Sequence, residues 1–229
     1  MSAPYLNALG VVCALGAGKA AVAEALFAGG THGLRAEPGW IPERAPPLGA
    51  VRAPLPAITG ALASTRDNRC NRLLLAAAQE IEADIRAAIA SHGTARVGVV
   101  LGTSTGGIEE ATHGLAAQRR DNVWPMEYRY SHQELAGPAE FLADWLDLAG
   151  PCYAISTACT AGARAMASAQ RLLDNGLCDA VLCGGVDTLA RLPLNGFHAL
   201  GAMDPARCNP FSRQRRGINI GEAAALFLM

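Results

Sequence analysis

Two hydrophobic patterns alternate along this chain, and each is typical of one kind of secondary structure. The continuous apolar run at 97–101 and the segment 179–183, which is apolar after Asp179, are typical of strands that are buried on both faces of a sheet. Further apolar runs at 5–13, 152–155 and 221–229 predict three more strands. The chain therefore has at least five predicted strands.

Apolar residues at helical spacing predict helices at 19–28, 71–90, 132–148 and 160–174. One apolar stripe runs along the 71–90 helix and consists of Leu74, Ala78, Ile81, Ile85 and Ile89. The Pro-rich segment 37–60 predicts an irregular surface loop. Strands that alternate with helices favour an α/β fold, in which helices cover both faces of a mostly parallel sheet.

Composition narrows the possible functions. The 229 residues are 51% hydrophobic and 17% charged, with a formal net charge of -1, so there is no basic footprint for nucleic acid or an anionic membrane. No apolar run approaches the roughly 20 residues of a membrane-spanning helix. The apolar start carries no Lys or Arg before Lys19, so it lacks the charged region of a signal peptide. We therefore expect a cytoplasmic protein.

The cysteines show neither a C-x-x-C pair nor a zinc spacing with histidine, so we predict no metal and no cofactor. Six of them are interpreted as reduced thiols in ordinary apolar surroundings. The seven cysteines are Cys13, Cys70, Cys152, Cys159, Cys178, Cys183 and Cys208. The five histidines form no motif and are interpreted as surface or loop residues.

Cys159 is the exception, because it lies where the 152–155 strand turns into the 160–174 helix. A helix N-terminus carries about half a positive charge, which stabilises a thiolate, and its free N–H groups can polarise an acyl carbonyl. The helix is rich in Ala and Gly, which predicts that it is buried on every side. From the spacing alone, Cys159 is either a nucleophile or an ordinary core thiol at a turn.

Five motifs, in order along the chain, resemble those of the β-ketoacyl-acyl-carrier-protein synthases. The segment S-T-A-C-T-A-G at 156–162 is similar to the nucleophile motif of that family. The other four are L-G-V-V-C-A-L-G at 9–16, R-V-G-V-V-L-G-T-S-T-G-G at 96–107, C-D-A-V-L-C-G-G-V-D at 178–187 and N-P-F-S-R-Q-R-R-G-I-N-I-G-E-A at 209–223. Ser212 and Arg216 stand where the family usually has Asp, and Ala223 where it usually has Gly.

The resemblance implies a thiolase-like fold, of which residues 1–229 would form the amino-terminal half. It implies that Cys159 accepts an acyl group from an acyl carrier protein, and that a carbanion from decarboxylated malonyl carrier protein then attacks the thioester. Two histidines and a lysine of the family's site belong to its second half, which is not in this chain. We therefore expect that the 229 residues alone do not condense substrates at a useful rate.

Two further site residues follow from the resemblance. Thr105 is expected near the floor of the acyl pocket, and Phe197 is expected to line it, although an ordinary core aromatic is an equal interpretation of Phe197. The glycine-rich segment 102–107 lacks the lysine of a P-loop, which argues against phosphate binding.

The resemblance also implies a partner, because enzymes of this family are usually homodimers, and some form heterodimers with a ketosynthase-like chain. A non-catalytic partner subunit of the chain-length-factor type, or an inactive half-domain, is the alternative function. Chain-length factors typically replace the nucleophilic cysteine, so the presence of Cys159 favours the enzyme.

Overall fold

A computed structural model describes residues 5–229 of the chain. Its strands are β1 (Ala8–Cys13), β2 (Gly16–Ala17), β3 (Leu34–Ala36), β4 (Pro47–Gly49), β5 (Val97–Gly102), β6 (Cys152–Ile155), β7 (Ala180–Asp187) and β8 (Ala223–Leu228). Its α-helices are α1 (Lys19–Phe27), α2 (Ala63–Arg66), α3 (Arg69–Glu80), α4 (Glu82–His92), α5 (Ile108–Asp121), α6 (Gly137–Leu146), α7 (Ala161–Asp174) and α8 (Arg191–Ala199).

Six strands form one mixed sheet in the order β2-β1-β8-β7-β5-β6. Strand β5 pairs in parallel with both β6 and β7, whereas β8 is antiparallel to its neighbours β1 and β7. Strands β1, β5, β6 and β7 therefore run in one direction and end at the same edge. The predicted mostly parallel sheet is confirmed, and this shared edge is where loops from several strands can meet.

One face of the sheet carries the larger hydrophobic core. Helices α3, α4 and α6 pack there through fully buried side chains such as Leu74, Ile85 and Leu142. These side chains meet alternate residues of the strands, including Val99 and Leu182. The apolar stripe predicted for 71–90 therefore faces the sheet, as its 3.6-residue period requires.

The opposite face is covered by α7, which packs on β5 and β7. Ala165 and Ala169 are fully buried there against Val100, Val181 and Cys183. With helices on both faces, the predicted α/β layering is confirmed.

The prediction that the helix after Cys159 is buried on every side is wrong for this chain. Only Ala161, Ala165 and Ala169 of α7 are buried, whereas Ala163 and Arg164 are exposed. The small side chains of α7 allow the face that carries Ala161, Ala165 and Ala169 to approach the sheet closely. They do not require that the opposite face be covered.

Several element boundaries differ from the predicted ones. The predicted helix 71–90 is two helices, because the backbone leaves helical geometry at Ile81 (φ −119°, ψ 19°). The helix predicted from 132 starts at Gly137, with Pro138 in its first turn, where proline's missing N–H costs nothing. Strand β7 continues past Gly184 to Asp187, because its pairing with β5 extends to Gly185 and its pairing with β8 extends to Asp187.

The hydrophobic pattern did not predict three helices, α2, α5 and α8, or three short strands, β2, β3 and β4. Strand β4 lies inside the segment 37–60 that was predicted to be an irregular loop. No helix among residues 5–229 is both long enough and apolar enough to cross a membrane.

Candidate functional site

Cys159 lies in a tight turn between β6 and α7. The preceding residue, Ala158, has a left-handed backbone (φ 53°), which is costly for a residue with a Cβ atom and reverses the chain sharply. The turn is closed by the Ala161 amide, which donates to the Ala158 carbonyl at 2.9 Å, and by the Thr160 hydroxyl, which donates to the Thr157 carbonyl at 2.9 Å. This turn places Cys159 two residues before the helix begins, with its side chain exposed.

The thiol borders a cleft of about 550 Å³ at the edge where the parallel strands end. Ends of β1, β5, β7 and β8 contribute to its lining. Its larger apolar lining side chains are Leu15, Met166, Val186 and Phe227, and its two carboxylates are Asp187 and Glu222. The cleft is therefore mainly apolar with a few polar groups, which is the character of a small-molecule site.

Glycines let the first turn of α7 come close to the sheet. A Cβ atom on Gly102 would lie 2.4 Å from the Ala161 carbonyl carbon and 2.4 Å from the Gly162 nitrogen. A Cβ atom on Gly185 would lie 3.5 Å from the Gly162 Cα. No side chain caps α7, so the positive end of its dipole is free to act on groups at the Cys159 turn.

Asp187, the last residue of β7, holds the loop that follows β5. Its Oδ1 atom accepts hydrogen bonds from the Ser104 amide (2.7 Å), the Thr105 amide (3.0 Å), the Thr103 hydroxyl (3.1 Å) and the Thr105 hydroxyl (3.0 Å). The Thr105 hydroxyl in turn accepts from the Thr188 amide at 2.9 Å. The loop is therefore held at the end of β7 by several hydrogen bonds to Asp187 and Thr188.

Glu222 is a buried carboxylate with a full set of donors. The Val51 amide donates to its Oε1 at 2.8 Å, and the Arg69 guanidinium binds both carboxylate oxygens, with Nε 2.8 Å from Oε2. The side chain of Glu222 is 0% exposed, whereas that of Arg69 is 42% exposed. The ion pair and these hydrogen bonds offset the cost of burying the carboxylate, and they hold Glu222 at the start of β8 beside the cleft.

Neither Thr105 nor Phe197 lies among the residues that line the cleft in this chain. Thr105 is 7% exposed, and its hydroxyl is engaged by Asp187 and Thr188. Phe197 is half-buried on α8. The expected roles of both residues in an acyl pocket stay predictions.

The other thiols differ from Cys159 in their surroundings. Cys183 lies beneath α7, where burial raises its pKa to about 12, and burial raises the pKa of Cys152 to about 11. Cys70 is fully buried, and its pKa is raised well above the ordinary value. Cys13 is half-buried and lines the same cleft as Cys159. Among the seven cysteines, Cys159 alone is exposed.

Histidine and lysine are not among the described residues that line the cleft. Of the five histidines, His132 is half-buried, and its pKa is lowered, chiefly by burial. Within residues 5–229, no group of three or more His, Cys, Asp or Glu side chains could hold a metal ion.

Two carboxylates of the site were not predicted from the sequence. Asp187 was available as a polar residue at the end of a buried strand, and Glu222 as a charge inside the apolar segment 221–229. Both signals are weak because a surface carboxylate gives the same local pattern.

Comparisons with known proteins agree with this arrangement. Residues 56–229 match the family model for the N-terminal domain of β-ketoacyl synthases. The chain is 37% identical over 86 residues to nodulation protein E of Rhizobium leguminosarum bv. trifolii, covering 37% of this chain and 21% of that protein. It is 28% identical over 181 residues to the tetracenomycin polyketide synthase ketoacyl synthase alpha subunit of Streptomyces glaucescens, covering 73% and 42%.

A solved structure is more similar. A chain of the complex between the ketosynthase ApeO and its chain length factor ApeC from Xenorhabdus doucetiae is 40% identical and superposes with a TM-score of 0.93. The match covers 100% of this chain and 59% of that one, so the chain spans less than two thirds of the length of these relatives. Because residues 56–229, which are more than half of the chain, match this family model, the chain belongs to the β-ketoacyl synthase family.

Proposed function

We propose that this chain supplies the acyl-accepting half of a 3-oxoacyl-[acyl-carrier-protein] synthase, with Cys159 as the acylated nucleophile. The observation that carries the proposal is the exposed Cys159 thiol at the uncapped start of α7, on the rim of a largely apolar cleft. A helix N-terminus favours the thiolate, and an apolar cleft suits an acyl chain.

The first half-reaction is an exchange of thioesters. The Cys159 thiolate attacks the acyl carbonyl, a sulfur–carbon bond forms, and the bond to the carrier's sulfur breaks. The carrier leaves as a thiolate and takes up one proton, which balances the proton lost by Cys159. The helix dipole stabilises negative charge at the attacking sulfur without a neighbouring base.

Carbon–carbon bond formation is proposed for the whole protein, of which residues 1–229 form the amino-terminal half. Malonyl carrier protein loses carbon dioxide, and the resulting carbanion attacks the Cys159 thioester, which releases the Cys159 thiolate. Because histidine and lysine are not among the described residues lining the cleft, the groups that promote decarboxylation are assigned to the other half. The similarity to polyketide ketosynthases favours a polyketide-type product. A cytoplasmic location stays a prediction.

An acidic carrier protein fits the surface of the segment 204–217. Four arginines of this segment are exposed, and they are Arg207, Arg213, Arg215 and Arg216. Its one acidic residue, Asp204, is buried and lies 3.5 Å from the Arg216 guanidinium, so the segment keeps a net positive charge. Such a cluster of like charges is complementary to an acidic surface and speeds encounter with it at low salt.

The partner chain is proposed to be a second ketosynthase-fold subunit, either a copy of this protein or a chain-length factor. Support comes from exposed apolar and aromatic side chains of α5 and of the segment that leads from α5 to α6, which are Leu115, Val123, Trp124, Met126, Tyr130 and Leu135. Exposed apolar and aromatic side chains grouped in this way are typical of protein interfaces. The solved structure that this chain resembles at 40% identity is a complex of a ketosynthase with its chain length factor.

The test is acyl transfer to the chain itself. The purified 229-residue protein is mixed with acyl carrier proteins bearing chains of different length, and intact mass spectrometry follows transfer. We expect one acyl group, mapped to Cys159 and absent in Cys159→Ala, with Cys208→Ala as the matched control that keeps transfer. Equal labelling of Cys159→Ala would overturn the proposal, and no transfer to the native chain would favour the non-catalytic partner subunit.

A further inference from the structure

The carboxylate of Asp187 gathers four donors on one oxygen atom. Two consecutive amides, those of Ser104 and Thr105, and two hydroxyls, those of Thr103 and Thr105, all lie 2.7 to 3.1 Å from Oδ1. Consecutive backbone N–H groups that point the same way form an anion-binding concavity, and a carboxylate accepts such bonds more strongly than a neutral group. We infer that Asp187 is a positioning residue that orders the Cys159 turn through the loop 103–106.

The hydrogen-bond directions within this loop are mutually consistent. Both hydroxyls give their single proton to Asp187 and use their lone pairs for amides. The Thr103 hydroxyl accepts from the Gly106 amide at 3.1 Å, and the Thr105 hydroxyl accepts from the Thr188 amide at 2.9 Å. Thr103 and Thr105 are 0% and 7% exposed, so water does not replace a lost bond easily. Removing the carboxylate therefore leaves the Thr105 amide and the hydroxyls of Thr103 and Thr105, which belong to buried residues, without this acceptor.

The loop is connected directly to the helix that follows Cys159. Gly102 is the residue before the loop, and it lies against Ala161 and Gly162 without space for a side chain. A loop that moves takes Gly102 with it, and the first turn of α7 then loses the surface on which it packs. Asp187 acts on Cys159 through this contact and not by touching a reacting atom.

Charge and position are separable experimentally. Asp187→Ala removes both the charge and the acceptor, whereas Asp187→Asn removes the charge and keeps a carbonyl oxygen in place. A role through charge alone predicts that the two neutral variants behave alike. A positioning role predicts that they differ, because only the asparagine can accept from the Ser104 and Thr105 amides.

The experiment combines hydrogen exchange with alkylation of Cys159 by iodoacetamide in the 229-residue chain. In Asp187→Ala we expect the Ser104 and Thr105 amides to exchange at least about tenfold faster, since each lost hydrogen bond lowers the opening free energy. We expect Cys159 to alkylate several-fold more slowly in Asp187→Ala than in Asp187→Asn. Asp121→Ala, which removes an exposed aspartate paired with Arg120, is the control and should change neither quantity.

Equal exchange and equal alkylation in the two Asp187 variants would overturn the inference. If Asp187→Ala does not fold, Thr105→Val tests the same network, with Thr112→Val in α5 as its control. Thr105→Val should speed exchange of the Thr188 amide and slow alkylation of Cys159, and no change in either would be an equally negative result. The inference rests on the proposed function for its biological meaning. A native chain that fails acyl transfer but keeps the difference between the Asp187 variants would contradict only the proposed function.

Discussion

Gly102 and Gly162 meet with no side chain between them, because a Cβ atom on Gly102 would lie 2.4 Å from the amide nitrogen of Gly162. This contact joins the end of β5 to the first turn of the helix behind Cys159. It lets the helix approach the sheet closely enough to aim its positive end at the cleft.

Gly102→Ala should therefore destabilise the protein and disturb the Cys159 turn. The added methyl group forces the backbone of Gly162 aside, and overpacking of this kind costs about 1–3 kcal/mol. We expect a lower urea midpoint and slower alkylation of Cys159. Gly196→Ala in α8 is the control, because nothing lies within 4 Å of its Cβ position. Gly196→Ala should leave the alkylation rate of Cys159 unchanged and stabilise α8 slightly. If Gly196→Ala slowed alkylation as much as Gly102→Ala does, the contact between Gly102 and Gly162 would not be the cause.

Thiol reactivity should rank Cys159 first in the native protein. With a pKa of about 11 for Cys152 and about 12 for Cys183, about 0.1% or less of either thiol is ionised at pH 8. The reactive fraction of both rises about tenfold per pH unit until their pKa values are reached. Alkylation mapped by mass spectrometry at pH 7 to 9 checks this order. The fastest phase should vanish in Cys159→Ser, and labelling of Cys183 ahead of Cys159 would be inconsistent with the structure.

Replacing the buried carboxylate at the start of β8 should weaken the fold. In Glu222→Gln, an NH2 group replaces one carboxylate oxygen. That NH2 group faces a group that donates to Glu222 in the native protein, either the Val51 amide or the Arg69 guanidinium, and two donors cannot bond to each other. The expected loss is about 1–3 kcal/mol of unfolding free energy. Glu82→Gln, which breaks the exposed pair with Arg86, should cost only about 0.2–0.5 kcal/mol. Urea unfolding of both variants measures the difference, and equal losses would show that burial of Glu222 is not the cause.

Stability should fall on mild acidification through His132. Burial lowers the pKa of this side chain in the folded protein below its ordinary value of 6.5, so the unfolded chain binds the proton more readily. The free energy of unfolding then decreases as the pH falls below about 6.5, and this contribution levels off below the folded-state pKa. Unfolding of the native chain and of His132→Gln between pH 7.5 and 5 isolates the effect. A native chain that loses no more stability than His132→Gln over this range would refute it.

Local sequence determined much of this protein. The apolar runs at 97–101 and 179–183 became paired central strands, and the stripe from Leu74 to Ile85 became the buried face of two helices. The position of Cys159 between a strand and a helix also followed from local pattern, because periodicity and the turn act over a few residues. Where local preference was weak, the observed helix boundaries differ from the predicted ones. At Ile81, for example, one predicted helix is divided into two.

The tertiary structure alone decided which groups surround Cys159. Gly102, Asp187 and Glu222 are up to 120 positions apart in sequence. They meet because the parallel strands β5 and β7 end, and the antiparallel strand β8 begins, at one edge of the sheet. The same geometry engages the Thr105 hydroxyl with Asp187 and leaves one face of α7 exposed. Hydrophobic patterning indicates which side of a helix or strand is buried. It does not indicate which strands are neighbours in the sheet, and the order of the strands decides which residues line the cleft.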